Sequence, residues 1–203
     1  MPGVRAPEAE RRQQIVDAAL RVAARDRLEG LTVRRVAAEA GLSPGLVYFH
    51  LTDKETLLLA VLDRLMTRLL PTPPARTEGT ARDRLIDHVR DEVARLPEVR
   101  ELVELFLDFW VMGTRHPGVR DRIVEALVAH RRALVPLAED VIAEEPERFA
   151  ATRPDRLAAM VVAFLHGHAV QAVVDPEAIE AGDFVTTLEA LVPGPLATTP
   201  PAR

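Results

Sequence analysis

The sequence contains no cysteine, which excludes structural disulfides and thiolate chemistry and suits a reducing compartment. Its longest unbroken apolar run, Leu157 to Leu165, is too short to cross a bilayer. The opening residues, MPGVRAPEAERRQQ, lack the apolar core of an export signal. No segment alternates with period two, so no sheet is expected. No nucleophile–base pairing, phosphate loop or metal triad is visible, so no catalytic residue, metal or cofactor is assigned. These absences point to a soluble, cytoplasmic, non-catalytic protein with no membrane partner.

Hydrophobic residues make up 48% of the 203 residues, enough for a true core. Charge is unevenly spread. Residues 1–70 hold 11 Lys and Arg against 9 Asp and Glu, whereas residues 71–203 hold 15 against 22. Every cation except Lys54 is arginine, the side chain best shaped for phosphates and guanine edges. A mildly basic head on an acidic body suits contact with a polyanion at one end only.

Helical periodicity runs through nearly every long segment. The expected fold is all-α with about nine helices. The first helix spans about 7–24 and carries Ile15, Ala18, Ala19, Val22 and Ala23 on one face. Gly30 follows as a breaker. Thr32 can cap a short helix from Val33 to Ala40, and Gly41 suits the left-handed position that ends it. Ser43 can cap the next, with Pro44 at its first position and an end near His50. Asp53 caps a fourth helix from Lys54 to about Leu70. Pro71, Pro73, Pro74 and Gly79 read as a seam. Beyond it come helices at about 80–95, 98–113, 118–144 (with a kink expected at Pro136), 154–174 and 183–192, then a disordered tail, 193–203.

Two short helices separated by Gly41 and Leu42 form a helix-turn-helix arrangement, whose second helix enters the major groove. Residues 1–53 are therefore expected to form a three-helix DNA-binding domain. Residues 54–192 would form a larger helical domain for ligand binding and dimerisation.

The segment from about residue 11 to 58 resembles the TetR family of transcriptional repressors. Thr32, Val36, Ala37, Ala40, Gly41, Leu42, Ser43, Gly45, Val47, Tyr48, His50, Lys54, Glu55 and Leu57 match its pattern in register. Leu51 stands where phenylalanine is usual, a conservative core exchange. The resemblance implies that Thr32, Ser43, Tyr48, His50 and Lys54 hold phosphates and that Arg34 sits where some members read a guanine edge, a phosphate or solvent role being the alternative. Pro44, Gly45 and Leu46, with Phe49 beside them, would face the groove. Few of these side chains can hydrogen-bond a base. Readout should lean on Arg34, thymine-methyl contact and DNA shape. Arg11 and Arg12 could reach phosphates from the N-terminal arm.

After Arg156 no charged residue occurs until Asp175. The stripe Leu157, Val161, Phe164, His168 and Gln171 faces one way, and Ala158, Val162, Leu165, Ala169 and Val173 another. Ala159, Ala163, Gly167, Val170 and Val174 occupy the face that a soluble helix normally keeps polar. Cover from a second copy is expected at Ala159, Ala163, Gly167, Val170 and Leu188, where small residues permit close approach. The alternative is a central helix inside one subunit. The family resemblance implies the homodimer, and with it a near-palindromic operator.

An effector pocket is expected from Phe106, Phe109, Trp110, His130, Phe164, His168 and Gln171, aromatic groups with a few convergent polar ones. The plainer reading of His130 and His168 is satisfied core histidines, and His88 is a weaker candidate. The stripe Glu101, Glu104, Asp108 and Arg115 reads as a solvated face, or as a contact for a cationic ligand. His166 and His168 point to different faces with no carboxylate at ligand spacing, which disfavours a metal. FLDFW, HPGVRDRI and FLHGHAVQAVVDPEAI loosely resemble the subgroup containing the choline–betaine pathway regulator. His166 replaces that subgroup's frequent acidic residue, so its ligand does not carry over. The expected function is a ligand-responsive repressor. An activator with the same head, a ligand-binding helical enzyme and a dimeric scaffold are the alternatives.

Overall fold

The computed structural model describes residues 7–70, 78–177 and 180–191, the side chains of residues 181 and 191 excepted. Among these residues are eight helices and no strand: α1 (Glu8–Gly30), α2 (Val33–Ala40), α3 (Pro44–His50), α4 (Lys54–Leu69), α5 (Ala81–Gly113), α6 (Pro117–Glu144), α7 (Pro154–Val174) and α8 (Ala181–Leu191). The tail expected at 193–203 and the prolines of the seam at 71–74 lie outside the described residues.

The expected count of about nine is corrected to eight, because the helices expected at 80–95 and 98–113 are one. α5 runs through Pro97, although an interior proline removes a backbone bond and crowds the preceding turn, at about 3 kcal/mol. Burial on both sides outweighs that cost. Leu85, Ile86, Val89 and Val93 are buried before it, and Val103, Leu105 and Phe109 after it, each such side chain contributing about 1.5–3 kcal/mol. α6 likewise continues through Pro136.

The described residues fall into two compact units. The first joins the chain through Leu70 to Val99–Val128. The second joins the segment ending at Glu98 to the described residues from Ala129 onward. α5 and α6 therefore each supply a segment to both units.

In the first unit, Ile15 and Val22 of α1, Val36 of α2, Val47 of α3 and Val61 and Leu65 of α4 share one core. Leu105, Phe109, Val119 and Ile123 complete it. Leu51 is fully buried there, filling the place of the expected phenylalanine. α1 extends past the expected end near Ala24 but breaks at Arg27, whose φ of 60° and ψ of −177° are non-helical. Such a positive φ is costly for a side-chain-bearing residue. The arginine side chain is held there on three sides. Its Nη2 donates to the Glu104 carbonyl and to Asp108 Oδ1, each at 2.8 Å, and its Nη1 to Glu104 Oε2 at 3.3 Å. The acidic stripe of α5 is thus not a freely solvated face. Glu104 and Asp108 receive Arg27, and Glu104 also receives Arg100 at 3.2 Å. Gly30 then permits a close approach, since a Cβ there would lie 2.4 Å from Asp26 Cβ.

In the second unit, Leu134 and Ala138 of α6 meet Ala158 and Val162 of α7. Val89 and Val93 of α5 pack with Leu165, and Phe184 and Leu188 of α8 lie against them. The Ala81 N–H at the start of α5 donates to the Glu144 carboxylate at 2.8 Å, and Arg84 pairs with Asp140 at 2.9 Å.

Candidate functional site

The nucleic-acid candidate is built from locally encoded caps. Thr32 Oγ1 accepts the Arg35 N–H at 3.4 Å, Ser43 Oγ accepts the Leu46 N–H at 3.3 Å, and Asp53 Oδ1 accepts the Thr56 N–H at 2.7 Å. Each bond satisfies one of the donors that a helix start leaves open. Gly41 adopts φ 67°, ψ 33°, and its N–H closes back on Ala37 and Ala38. That left-handed residue sets the turn between α2 and α3.

The sequence-predicted DNA residues lie on one exposed segment. Val47 anchors α3 in the core, while Tyr48 and Phe49 are exposed, Phe49 by 71%. Pro44 and Gly45 are exposed, and Leu46 and His50 are half-buried. The His50 ring meets Phe49 edge-on at 5.1 Å. The hydroxyls of Thr32 and Ser43 accept cap bonds yet keep their own O–H to donate, a capacity suited to phosphate oxygens.

The cations of the head divide into held and free. Arg21 and Arg25 pair with Glu39 at 2.8 and 3.3 Å, Arg35 pairs with Asp26 at 3.3 Å, and Arg64 pairs with Asp17 at 2.6 Å. The Asp26 carboxyl is held below its ordinary range, chiefly by its hydrogen bond with Arg25, and that of Glu39 by its bonds with Arg21 and Arg25. Arg12, Arg34 and Lys54 are exposed and make no ion pair among the described residues. Arg34 and Lys54 are two of the cations predicted to face DNA. Arg11 instead bonds Gln14 Oε1 at 2.8 Å.

The residues predicted to line an effector pocket divide between the units. Phe106, Phe109 and Trp110 belong to the first, where Phe109 is fully buried in the core and Trp110 is half-exposed, edge-on to Phe106 at 5.6 Å. His130, Phe164, His168 and Gln171 belong to the second. His130 and His168 are buried, and the Nδ1 of each has no hydrogen-bond partner among the described residues. His168 stacks on Phe184 at 4.3 Å, and Phe164 lies 6.0 Å from the same ring. His130 stacks on His166 at 6.1 Å with the rings 11° from parallel. Burial, then the charge of His166, lowers the pKa of His130 to about 4, and burial lowers those of His166 and His168. His88 is also buried.

Sequence reasoning missed the His130–His166 contact, the partnership of His168 with Phe184, and Arg131. The half-buried guanidinium of Arg131 makes no hydrogen bond or ion pair among the described residues, and its charge bears on both His130 and His166. Its signal was its place, one residue past a histidine on an apolar stripe.

α7 divides differently from the three stripes expected of it. Ala158, Val162, Leu165 and His168 are buried. Met160, Ala163, Phe164, Gly167, Val170, Gln171 and Val174 are exposed, Met160 by 61% and Val174 by 80%. His168 thus turns inward, while Phe164 and Gln171 share the open face with the small residues. Leu188, expected at the dimer interface, is half-buried against α5 and α7. A Cβ on Gly167 would meet nothing within 4 Å. The chain around Gly167 gives no steric reason for a helix-weakening glycine there. By length and composition α7 could also span a membrane, its mean hydropathy reaching 1.8 over eighteen residues. The longest unbroken apolar run understated this, because it stops at the uncharged His166.

Residues 15–61 match the family model described as bacterial regulatory proteins, tetR family. Residues 81–196 match the BetI-type transcriptional repressor, C-terminal. The chain is 27% identical over 174 residues to an uncharacterised HTH-type transcriptional regulator in the dhlA 5′ region of Xanthobacter autotrophicus, covering 83% of this chain and 82% of that protein. It is 30% identical over 152 residues to the HTH-type transcriptional regulator BetI of Rhizobium meliloti, covering 70% and 72%. Its fold matches that of a Saccharomonospora viridis chain described as a transcriptional regulator in complex with choline, with a TM-score of 0.72, 21% identity and coverage of 91% and 96%. The chain belongs to the TetR family of DNA-binding transcriptional regulators, with a C-terminal region of the BetI type.

Proposed function

We propose that this regulator is a non-catalytic, cytoplasmic repressor that binds a near-palindromic operator as a homodimer and releases it in response to a small molecule. In this reading residues 1–53 contact DNA together with Lys54 at the start of the next helix, and residues 54–192 otherwise pair and sense. Thr32, Ser43, Tyr48, His50 and Lys54 hold phosphates. Arg34 reads a base edge, and Leu46 and Phe49 meet thymine methyls beside Pro44 and Gly45.

The observation that carries the reading is the pairing of two open surfaces. The exposed start of α3 stands with the free cations Arg34 and Lys54, and α7 has a bare apolar stripe centred on Gly167. An apolar helix face of that length in water is unfavourable unless it is covered. A second copy packing α7 on α7, with α8 alongside, covers it at close approach. A two-fold dimer then presents two recognition helices about one DNA turn, ~34 Å, or a multiple of it apart. Effector binding in the second unit would shift the population of head spacings, and a coupling of about 1–3 kcal/mol is enough to change operator occupancy. The helices α5 and α6, common to both units, carry that shift along the chain.

The test is selection of bound duplexes from a random library at fixed moderate salt, because phosphate contacts make affinity salt-dependent. The expected result is enrichment of a two-fold symmetric site. Absence of any enriched sequence, with a control repressor succeeding in the same buffer, would overturn the reading.

A further inference from the structure

The second unit holds a group of cationic and titratable side chains that the DNA-binding function does not use. His130 is 5% exposed, its Nδ1 is unpartnered, and its ring lies parallel to that of His166 at 6.1 Å. Arg131 follows His130 directly in the chain, is half-buried and makes no hydrogen bond or ion pair among the described residues, and its charge bears on both imidazoles. From α5, His88 and Arg95 also bear on His130, and Arg95 is held by Glu92 at 2.8 Å. Glu92, the carboxylate of this group, is thereby already paired with Arg95.

A buried imidazole nitrogen without a partner, followed in the chain by a half-buried guanidinium with none among the described residues, is costly for a structural core. Packing alone would favour apolar residues in these places. Nor do the described residues bring together three side chains able to hold a metal ion. The sign of the surroundings is informative. A quaternary ammonium brought here would be repelled by the charge of Arg131, whereas an oxyanion would satisfy both the fork of Arg131 and an imidazole N–H.

We propose that Arg131, His130 and His166 form the receiving site for an oxyanion, the carboxylate or phosphate group of the effector. This rests on the reading of the second unit as a sensor. The effector is then opposite in charge to choline. Arg131 anchors it through charge-assisted hydrogen bonds. His130 and His166 complete the shell, and one of them takes up a proton as the anion binds.

The test uses the full chain and reads the imidazole resonances of His130 and His166, assigned through the single variants H130Q and H166Q. Benzoate, inorganic phosphate and choline are titrated separately at constant ionic strength. Saturable shifts of both imidazoles by benzoate alone identify a carboxylate site, by phosphate alone a phosphoryl site, and by both a general oxyanion site. R131Q should weaken that binding about tenfold or more, R131K should restore part of it, and R132Q, at the exposed neighbour, should leave it unchanged. Equal binding by R131Q with its helical content intact, shifts with choline alone, or no saturable shift with either anion would overturn the proposal. Operator binding separates the two claims. An anion that binds through Arg131 but leaves operator affinity unchanged sinks the sensor reading and keeps the site. Release of the operator by another class of compound, with no anion binding, does the reverse.

Discussion

In the first unit each short helix begins or ends on a device that its own residues supply. Thr32, Ser43 and Asp53 cap, Gly41 turns, and the apolar side chains of α1 to α4 close on one another and on Phe109. The second unit leaves more undone. α7 keeps an apolar stripe exposed, its Gly167 has no neighbour that calls for a glycine, and among the described residues the Nδ1 of buried His130 and of His168 and the guanidinium of Arg131 have no hydrogen-bond partner. The contrast teaches that the caps, turn and core of the first unit are supplied within one chain. On the proposed reading, the second unit is shaped for a partner and an effector.

The largest expected effect is a difference in acid sensitivity. The folded pKa of His130 is depressed from 6.5 to about 4, and those of His166 and His168 are depressed too. The unfolded chain therefore binds more protons across that window. Stability is full above about pH 6.5 and falls as the pH drops toward 4, by about 3 kcal/mol from His130 alone. Urea midpoints measured across the window should fall steeply for the native chain and less steeply for His130→Leu. A flat profile would mean that these rings are not buried neutral.

In the first unit, Asp53→Ala should cost about 1 kcal/mol by losing the cap of α4, whereas Asp53→Asn should cost only a few tenths. Equal unfolding midpoints for the two would remove the cap from the account. Arg27 offers a reversal of ordinary helix behaviour. Elsewhere in a helix glycine is worse than alanine by about 1 kcal/mol. At φ 60° the order should invert, with Arg27→Gly more stable than Arg27→Ala by a similar amount. Thermal melts of the pair decide it, and the usual order would argue against the kink.

Sequence patterns revealed most of the first unit because caps, turn glycine and core spacing act within a few residues of one another. They also revealed the run 154–174 and the burial of His130 on its stripe. What they hid is long-range. Arg27 meets Glu104 and Asp108 at separations of 77 and 81 residues, and no local rule pairs them. His166 meets His130 from a different helix. Pro97 lies in the gap between the helices expected at 80–95 and 98–113, and proline usually ends a helix. Burial on both sides of it, a tertiary effect, kept α5 continuous. His168 and Phe164 do meet at the ring of Phe184, but the burial of His168 and the exposure of Phe164 and Gln171 stayed hidden, because i, i+3 and i+4 spacing cannot say which side of an all-apolar helix faces inward.

The smallest predicted effect separates DNA contact from folding. Lys54→Gln should leave unfolding midpoints within about 0.5 kcal/mol of the native chain. It should lower the slope of log affinity against log salt by about one, the signature of one lost phosphate contact. An unchanged slope would take Lys54 off the interface.

The contrast between the units turns most directly on Gly167, where a Cβ would meet nothing within 4 Å but where, on the proposed pairing, a large side chain would stand in the way of a second copy. The decisive measurement is the solution molar mass, by sedimentation, of the native protein and of Gly167→Trp. The account predicts two chains for the native protein, and one chain of undiminished helical content for Gly167→Trp. A native protein of one chain, or a Gly167→Trp protein that still pairs, would contradict it.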